Sequence, residues 1–129
     1  MKMALCFLMG ALAVSGAVAK ADYAQLAKAI EVKELNTLMF AKSSDANLAK
    51  VEAFLKAHPK AVEREQALYL LAYMKWSLHR YAVAAPAYAA LLKEFPKTKF
   101  LRIALIREAA AHLFNGRADL ALPRLRAIE

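Results

Sequence analysis

Three groups of side chains in this sequence have the types and spacing to do chemistry. Tyr69, Tyr73 and Trp76 follow an i, i+4, i+7 pattern that puts all three on one face of a helix. Aromatic rings with polar tips suit recognition, the ring supplying contact area and its hydroxyl or N–H a hydrogen bond. Lys56, Lys60, Lys93, Lys97, Lys99 and Arg102 gather around Pro59 and Pro96, a basic cluster fit for acidic protein or anionic lipid head groups. The third group offers less. His58, His79 and His112 include no pair at the i, i+4 spacing of a zinc-binding helix, and each reads as a surface or capping residue. Glu63 and Glu65 stand two apart, on different helix faces, and form no acid–base dyad. No glycine-rich phosphate loop or nucleophile elbow is present. The chain is therefore expected to be a binding protein rather than an enzyme, with no cofactor or metal.

The elements that must position these residues are helices. Of 129 residues, 60% are hydrophobic, with 3 Gly and 4 Pro; Ala, Leu, Lys and Glu dominate and β-branched residues are few, which favours helix over strand. The length fits one domain with a modest core. Met1-Lys2-Met3, the apolar run Ala4 to Ala17 and Ala17-Val18-Ala19 read as a secretory signal peptide over 1–19. Ala19-Lys20-Ala21 also fits, so cleavage after residue 21 is equally open. The apolar run is shorter than the roughly 20 residues a membrane span needs, and Cys6 lies too early in it for a lipoprotein site. Removal of residues 1–19 takes Lys2 and the one cysteine, lowering the formal charge from +8 to +7 and leaving no disulfide or thiolate site. Export to the bacterial periplasm, together with the lack of a nucleic-acid-binding motif, argues against nucleic acid as a partner.

One stretch is written twice. Ala53-Phe54-Leu55-Lys56-Ala57-His58-Pro59-Lys60 returns as Ala90-Leu91-Leu92-Lys93-Glu94-Phe95-Pro96-Lys97, 37 positions later. The same offset aligns Ala67-Leu68 and Ala72 with Ala104-Leu105 and Ala109. It also aligns His79-Arg80 with Gly116-Arg117, Pro86 with Pro123 and Tyr88 with Leu125. A repeat at this period means stacked supersecondary units. Helices are expected over Asp22 to Lys42 (one bent helix or two short ones), Asp45 to about Ala57, Val62 to Leu78, Tyr81 to Phe95, Phe100 to Asn115, and Ala118 onward. Asp22 is a candidate N-cap, Ser43-Ser44-Asp45 a break, Pro59 and Pro96 stops, and Gly116 a left-handed C-terminal residue. Leu48, Val51, Phe54 and Leu55 are expected inside. Pro86 and Pro123 call for a late helix start or a small kink.

From Glu65 to Thr98 the pattern Leu68-x2-Leu71-Ala72, Ala84, Tyr88, Leu91 and Pro96 resembles a tetratricopeptide repeat. Leu105, Ala109, Gly116, Ala121, Leu125 and Ile128 repeat it over Arg102 to Glu129. Repeats of the periplasmic Tol–Pal-associated coordinator and of outer-membrane-assembly lipoproteins are the most similar. The resemblance implies an all-α, right-handed α-solenoid of three antiparallel hairpins, about 22–59, 60–96 and 97–129. It also implies an inner groove formed by Met39, Phe40, Tyr69, Tyr73, Trp76, Ile106, Leu113 and Phe114 for a protein or peptide partner in envelope organisation or assembly. The aromatic stripe can equally be packed core. Lys75 and His112 stand where the family prefers an aromatic, and Glu34 and Glu108 where it prefers leucine. Either the inner helices are rotated, or Glu108 pairs with Lys75 or His112. Two other readings stay open: a basic rim that holds anionic lipid or cell-wall polymer, and self-association through Leu122, Leu125 and Ile128 on the last helix.

Overall fold

The computed structural model describes residues 17–128, with side chains from Tyr23 onward; the expected signal peptide lies largely outside these residues. The described residues form six helices and no strand: α1 (Ala17–Leu38), α2 (Asp45–Ala57), α3 (Arg64–Ser77), α4 (Tyr81–Glu94), α5 (Leu101–Phe114) and α6 (Ala118–Ile128). The protein is all-α, as its composition predicts. Internal packing divides the chain after Asn36. Almost all of α1 belongs to the first unit. It is a single helix that begins before Asp22, so Asp22 is no N-cap: the preceding Ala-rich residues are strong helix formers and nothing among them breaks a helix.

The second unit begins at Thr37 and holds the other five helices. Its first residues correct an expectation. Helix α1 stops at Leu38, where Phe40 N–H donates to the Thr37 carbonyl and Ala41 N–H to that of Leu38, at 3.1 and 3.2 Å. These tight i→i+3 bonds turn the chain, so Met39 and Phe40 sit in a turn rather than on an inner helix. Ser44 then caps α2, its side chain accepting from Asn47 N–H at 3.1 Å. Leu48, Val51 and Phe54 are buried on α2, whereas Leu55 is only half-buried.

The 37-residue period is visible in the backbone itself. Arg64 and Leu101 start α3 and α5, and Ser77 and Phe114 end them. The stops before Pro59 and Pro96 are near copies: His58 has φ −130°, ψ 64° and Phe95 has φ −126°, ψ 74°. Both conformations avoid the helical region that a following proline disfavours. After α3 and α5 the chain turns through left-handed residues, His79 at φ 59° and Gly116 at φ 74°. Packing follows the repeat: α2 lies on α3, α3 on α4, α4 on α5 and α5 on α6, and α3 also meets α5. Consecutive contacts of this kind, with alternate helices touching, are those of a helical-repeat solenoid.

Alanine sets how closely the helices approach. Ala67, Ala72, Ala84, Ala104, Ala109, Ala111 and Ala121 have no exposed surface, and Tyr88, Leu91 and Met74 fill the space between them. Pro86 and Pro123 lie inside α4 and α6, so neither marks a late start. Pro86 deprives the Ala82 carbonyl of its helical donor. Both Pro86 and Ala82 are exposed, and water can bond the freed oxygen.

The left-handed turn gives a direct test. Nothing lies within 4 Å of a Cβ built on Gly116, so a side chain there meets only the backbone penalty. Gly116→Ala is expected to cost about 1 kcal/mol in urea denaturation, and Gly116→Asn clearly less, because asparagine tolerates left-handed angles. Equal losses for the two variants would contradict this assignment of the turn.

Candidate functional site

Helix α3 positions Tyr69, Tyr73 and Trp76 one turn apart, and each is half-buried. They build two aromatic clusters. In the first, Tyr69 stacks on Phe100 at 4.0 Å between ring centroids and 8° between planes, with Tyr73 at 6.2 Å and the edge of Tyr88 at 6.4 Å. In the second, Trp76 meets Tyr81 edge-on at 5.1 Å and Phe114 at 5.9 Å, and Tyr81 and Phe114 are 4.9 Å apart. Tyr69 and Trp76 also pack against the buried cluster of Ala72, Tyr88, Leu91, Leu92, Ala104 and Leu105. The stripe is thus backed by core on one side and open on the other. Tyr69 and Trp76 therefore contribute to the core while each keeps part of its surface uncovered.

The most exposed of the expected groove residues on α5 lie at its end, where Phe114 is 64% exposed and Leu113 49%, with Ile106 exposed further back on the helix. Phe40 is 95% exposed and Met39 half-buried; neither makes a ring contact with the α3 stripe. Of the expected groove residues, ring contacts therefore join Tyr69 to Tyr73 and Trp76 to Phe114, as two separate pairs.

A cation lies among the rings. Arg107 of α5 donates through Nη1 to the hydroxyls of Tyr69 and Tyr88, at 3.2 and 3.4 Å, and its Cζ sits 4.8 Å from the centre of the Tyr73 ring. Burial pushes the Tyr88 hydroxyl up to about 12, against the pull of Arg107. Arg107, Phe100 and Tyr81 were not foreseen as site residues. The repeat carries a signal for the first of them: Arg107 falls 37 positions after Leu70, which is 1% exposed.

Glu108 answers the question its sequence position raised. It is 3% exposed, with Arg124 Nε 2.8 Å from Oε2 and His112 Nε2 3.8 Å from Oε1. His112 is thus a half-buried neighbour of Glu108 rather than a surface residue, and the principal partner is Arg124 of α6, not Lys75. The Arg124 contact is a close ion pair without hydrogen-bond alignment, since Oε2 has no hydrogen-bond partner. Burial holds the Glu108 carboxyl above its ordinary range, while Arg124 and then His112 pull it back. Beside the pair, Ala82, Pro86, Glu108, His112, Asn115 and Arg117 line an open recess of about 230 Å³.

The basic residues Lys56, Lys60, Lys93, Lys97, Lys99 and Arg102 are all exposed. Lys99 Nζ lies 5.2 Å from the Phe100 ring centre, at the edge of the first aromatic cluster. Nearby charge is partly spent within the fold, where Arg64 grips Glu94 with Nη2 3.0 Å from Oε1. Among the described residues no group of three or more His, Cys, Asp or Glu is placed to hold a metal ion, and no helix is long and apolar enough to cross a membrane. On α6, Leu122 is 50% and Leu125 40% exposed, although their repeat equivalents Ala85 and Tyr88 are buried. Comparison with protein-family models, with curated proteins and with solved structures finds no match.

The Glu108–Arg124 pair yields a prediction with a sign in pH. A carboxyl whose folded pKa is raised favours the folded state at low pH, and that contribution is lost as pH rises through the folded value. Arg124→Ala removes the main opposing charge, so burial raises the carboxyl further. The variant should lose about 2 kcal/mol near neutral pH, below a fully buried pair because Arg124 is 39% exposed. The deficit should narrow on going from about pH 7 to about pH 5. Glu108→Leu combined with Arg124→Ala restores the repeat's own Leu71 and Ala87 types, and should be more stable than Arg124→Ala alone. Urea denaturation at both pH values checks each point.

Proposed function

We propose that this chain is an exported helical-repeat scaffold of the tetratricopeptide type, which holds an amphipathic segment of a partner protein on the aromatic face of α3 and α5. The setting is envelope organisation or assembly. One observation carries the reading: Phe114 is 64% exposed yet sits in ring contact with Trp76 and Tyr81, which are themselves anchored. An apolar ring in contact with two others at the surface, with exposed Leu113 beside it, gives a partner contact area. Apolar residues at helical spacing on the partner are the matching chemistry. The export part of the reading rests on the leader-like sequence of residues 1–19 and on a cysteine-free remainder.

Trp76 is the only tryptophan, so the site carries its own reporter. A capped amphipathic helical peptide titrated into the protein is expected to produce a saturable change in Trp76 emission. Phe114→Ala should weaken binding about tenfold or more while costing less than about 1 kcal/mol in stability, since most of that ring is already in water. Undiminished peptide binding in Phe114→Ala, or no change in emission with the unmodified chain, would contradict the proposal.

A further inference from the structure

Two charges interrupt the repeat side by side. Leu70 and Leu71 in α3 become Arg107 and Glu108 in α5, at the same backbone positions. Glu108 is compensated, because Arg124 stands where the earlier repeat has Ala87 and lies 2.8 Å from its carboxylate. Arg107 has no such answer. Its partners are the hydroxyls of Tyr69 and Tyr88 and the Tyr73 ring, all neutral, and no Asp or Glu among the described residues pairs with it. By contrast Arg64, Arg80, Arg117 and Arg124 each hold a carboxylate.

The geometry leaves part of this guanidinium unused. Only Nη1 is bonded, so the Nε–Nη2 edge has no hydrogen-bond partner among the described residues. Two parallel N–H groups on that edge match the two oxygens of a carboxylate. The rest of the group is fixed by three tyrosines, which removes much of the entropy cost of binding there. A half-buried cation without a counter-charge is costly to the fold. Here it lies in the first aromatic cluster, beside Tyr73, one helical turn along α3 from Trp76 and its contact with Phe114.

We propose that Arg107 is the polar anchor of the aromatic face and takes the carboxylate of an Asp or Glu side chain on the bound segment through its Nε–Nη2 edge. This deepens, and rests on, the reading of that face as a partner site. The ligand class is then an amphipathic segment with one acidic residue beside its apolar stripe. A chain with formal charge +8 draws such a segment toward it.

The test has two arms. In the first, sodium acetate is titrated into isotopically labelled protein while the arginine Nε–H signals are followed, with sodium chloride as control. Arg107 should show a saturating shift with acetate and not with chloride, while Arg64, Arg117 and Arg124, already carboxylate-bound, move little. An Arg107 signal that responds alike to both salts overturns the proposal, whatever the fate of the aromatic face. In the second arm, two capped amphipathic peptides that differ only as Glu against Gln are titrated against Trp76 emission. The Glu peptide should bind about tenfold or more tighter. Arg107→Leu, which restores the residue the earlier repeat buries, should bind both peptides equally, and Arg107→Lys should recover only part of the difference. Equal binding of the two peptides by the unmodified chain overturns the anchor but leaves the aromatic site standing. A Glu preference that persists in Arg107→Leu also overturns it. Binding of neither peptide overturns the aromatic face as a site and the anchor with it.

Discussion

Tyr88 is the side chain on which the rest of this structure depends. Its ring has no exposed surface, and it stands on α4 among alanines and leucines of α3 and α5. A buried ring of this size contributes on the order of 2–3 kcal/mol through removal of apolar surface from water, but it carries a hydroxyl that must find a partner. Arg107 supplies the nearest one, at 3.4 Å. The same guanidinium reaches Tyr69 and covers Tyr73, so filling the core at position 88 also fixes the polar centre of the aromatic face. Core and candidate site are two sides of one seam.

Helix α4 is therefore shared. It packs on α3 within its own hairpin and on α5 of the next, and its buried residues Ala84, Ala85, Tyr88, Leu91 and Leu92 serve both contacts. Helix α6 is the repeat counterpart of α4 but carries one buried residue, Ala121. Leu122 and Leu125 are about half exposed at positions whose equivalents are enclosed. Stability along such an array is a sum of neighbour contacts, so α6 is the weaker partner and the Glu108–Arg124 pair is part of what holds it to α5.

Much of the fold was legible because helix ends obey local rules. Pro59 and Pro96 fix the residues before them, Ser44 supplies an oxygen to a free amide, and Gly116 accepts left-handed angles. These signals act over a few residues, and the 37-residue offset confirms them against one another. The site was only partly legible. Helical spacing placed Tyr69, Tyr73 and Trp76 together, but whether a ring is covered depends on elements distant in sequence. Phe100 covers Tyr69 from 31 positions away. Met39 and Phe40 were misplaced because the expected helix continued past Leu38, where two tight turns close it. Arg124 was missed as the partner of Glu108 because no local pattern links them. Reading each residue against its equivalent 37 positions earlier would have exposed all three charges, since Arg107, Glu108 and Arg124 have the apolar counterparts Leu70, Leu71 and Ala87.

Native-state amide hydrogen exchange tests the dependence on α4 directly. The slowest amides should lie in α4 around Tyr88 and Leu91 and in the facing part of α5 near Ala104 and Leu105, with α6 opening at a lower free energy. Exchange of the α4 amides as fast as those of α6 would contradict the claim that the buried Tyr88 seam holds both the repeat and the face built upon it.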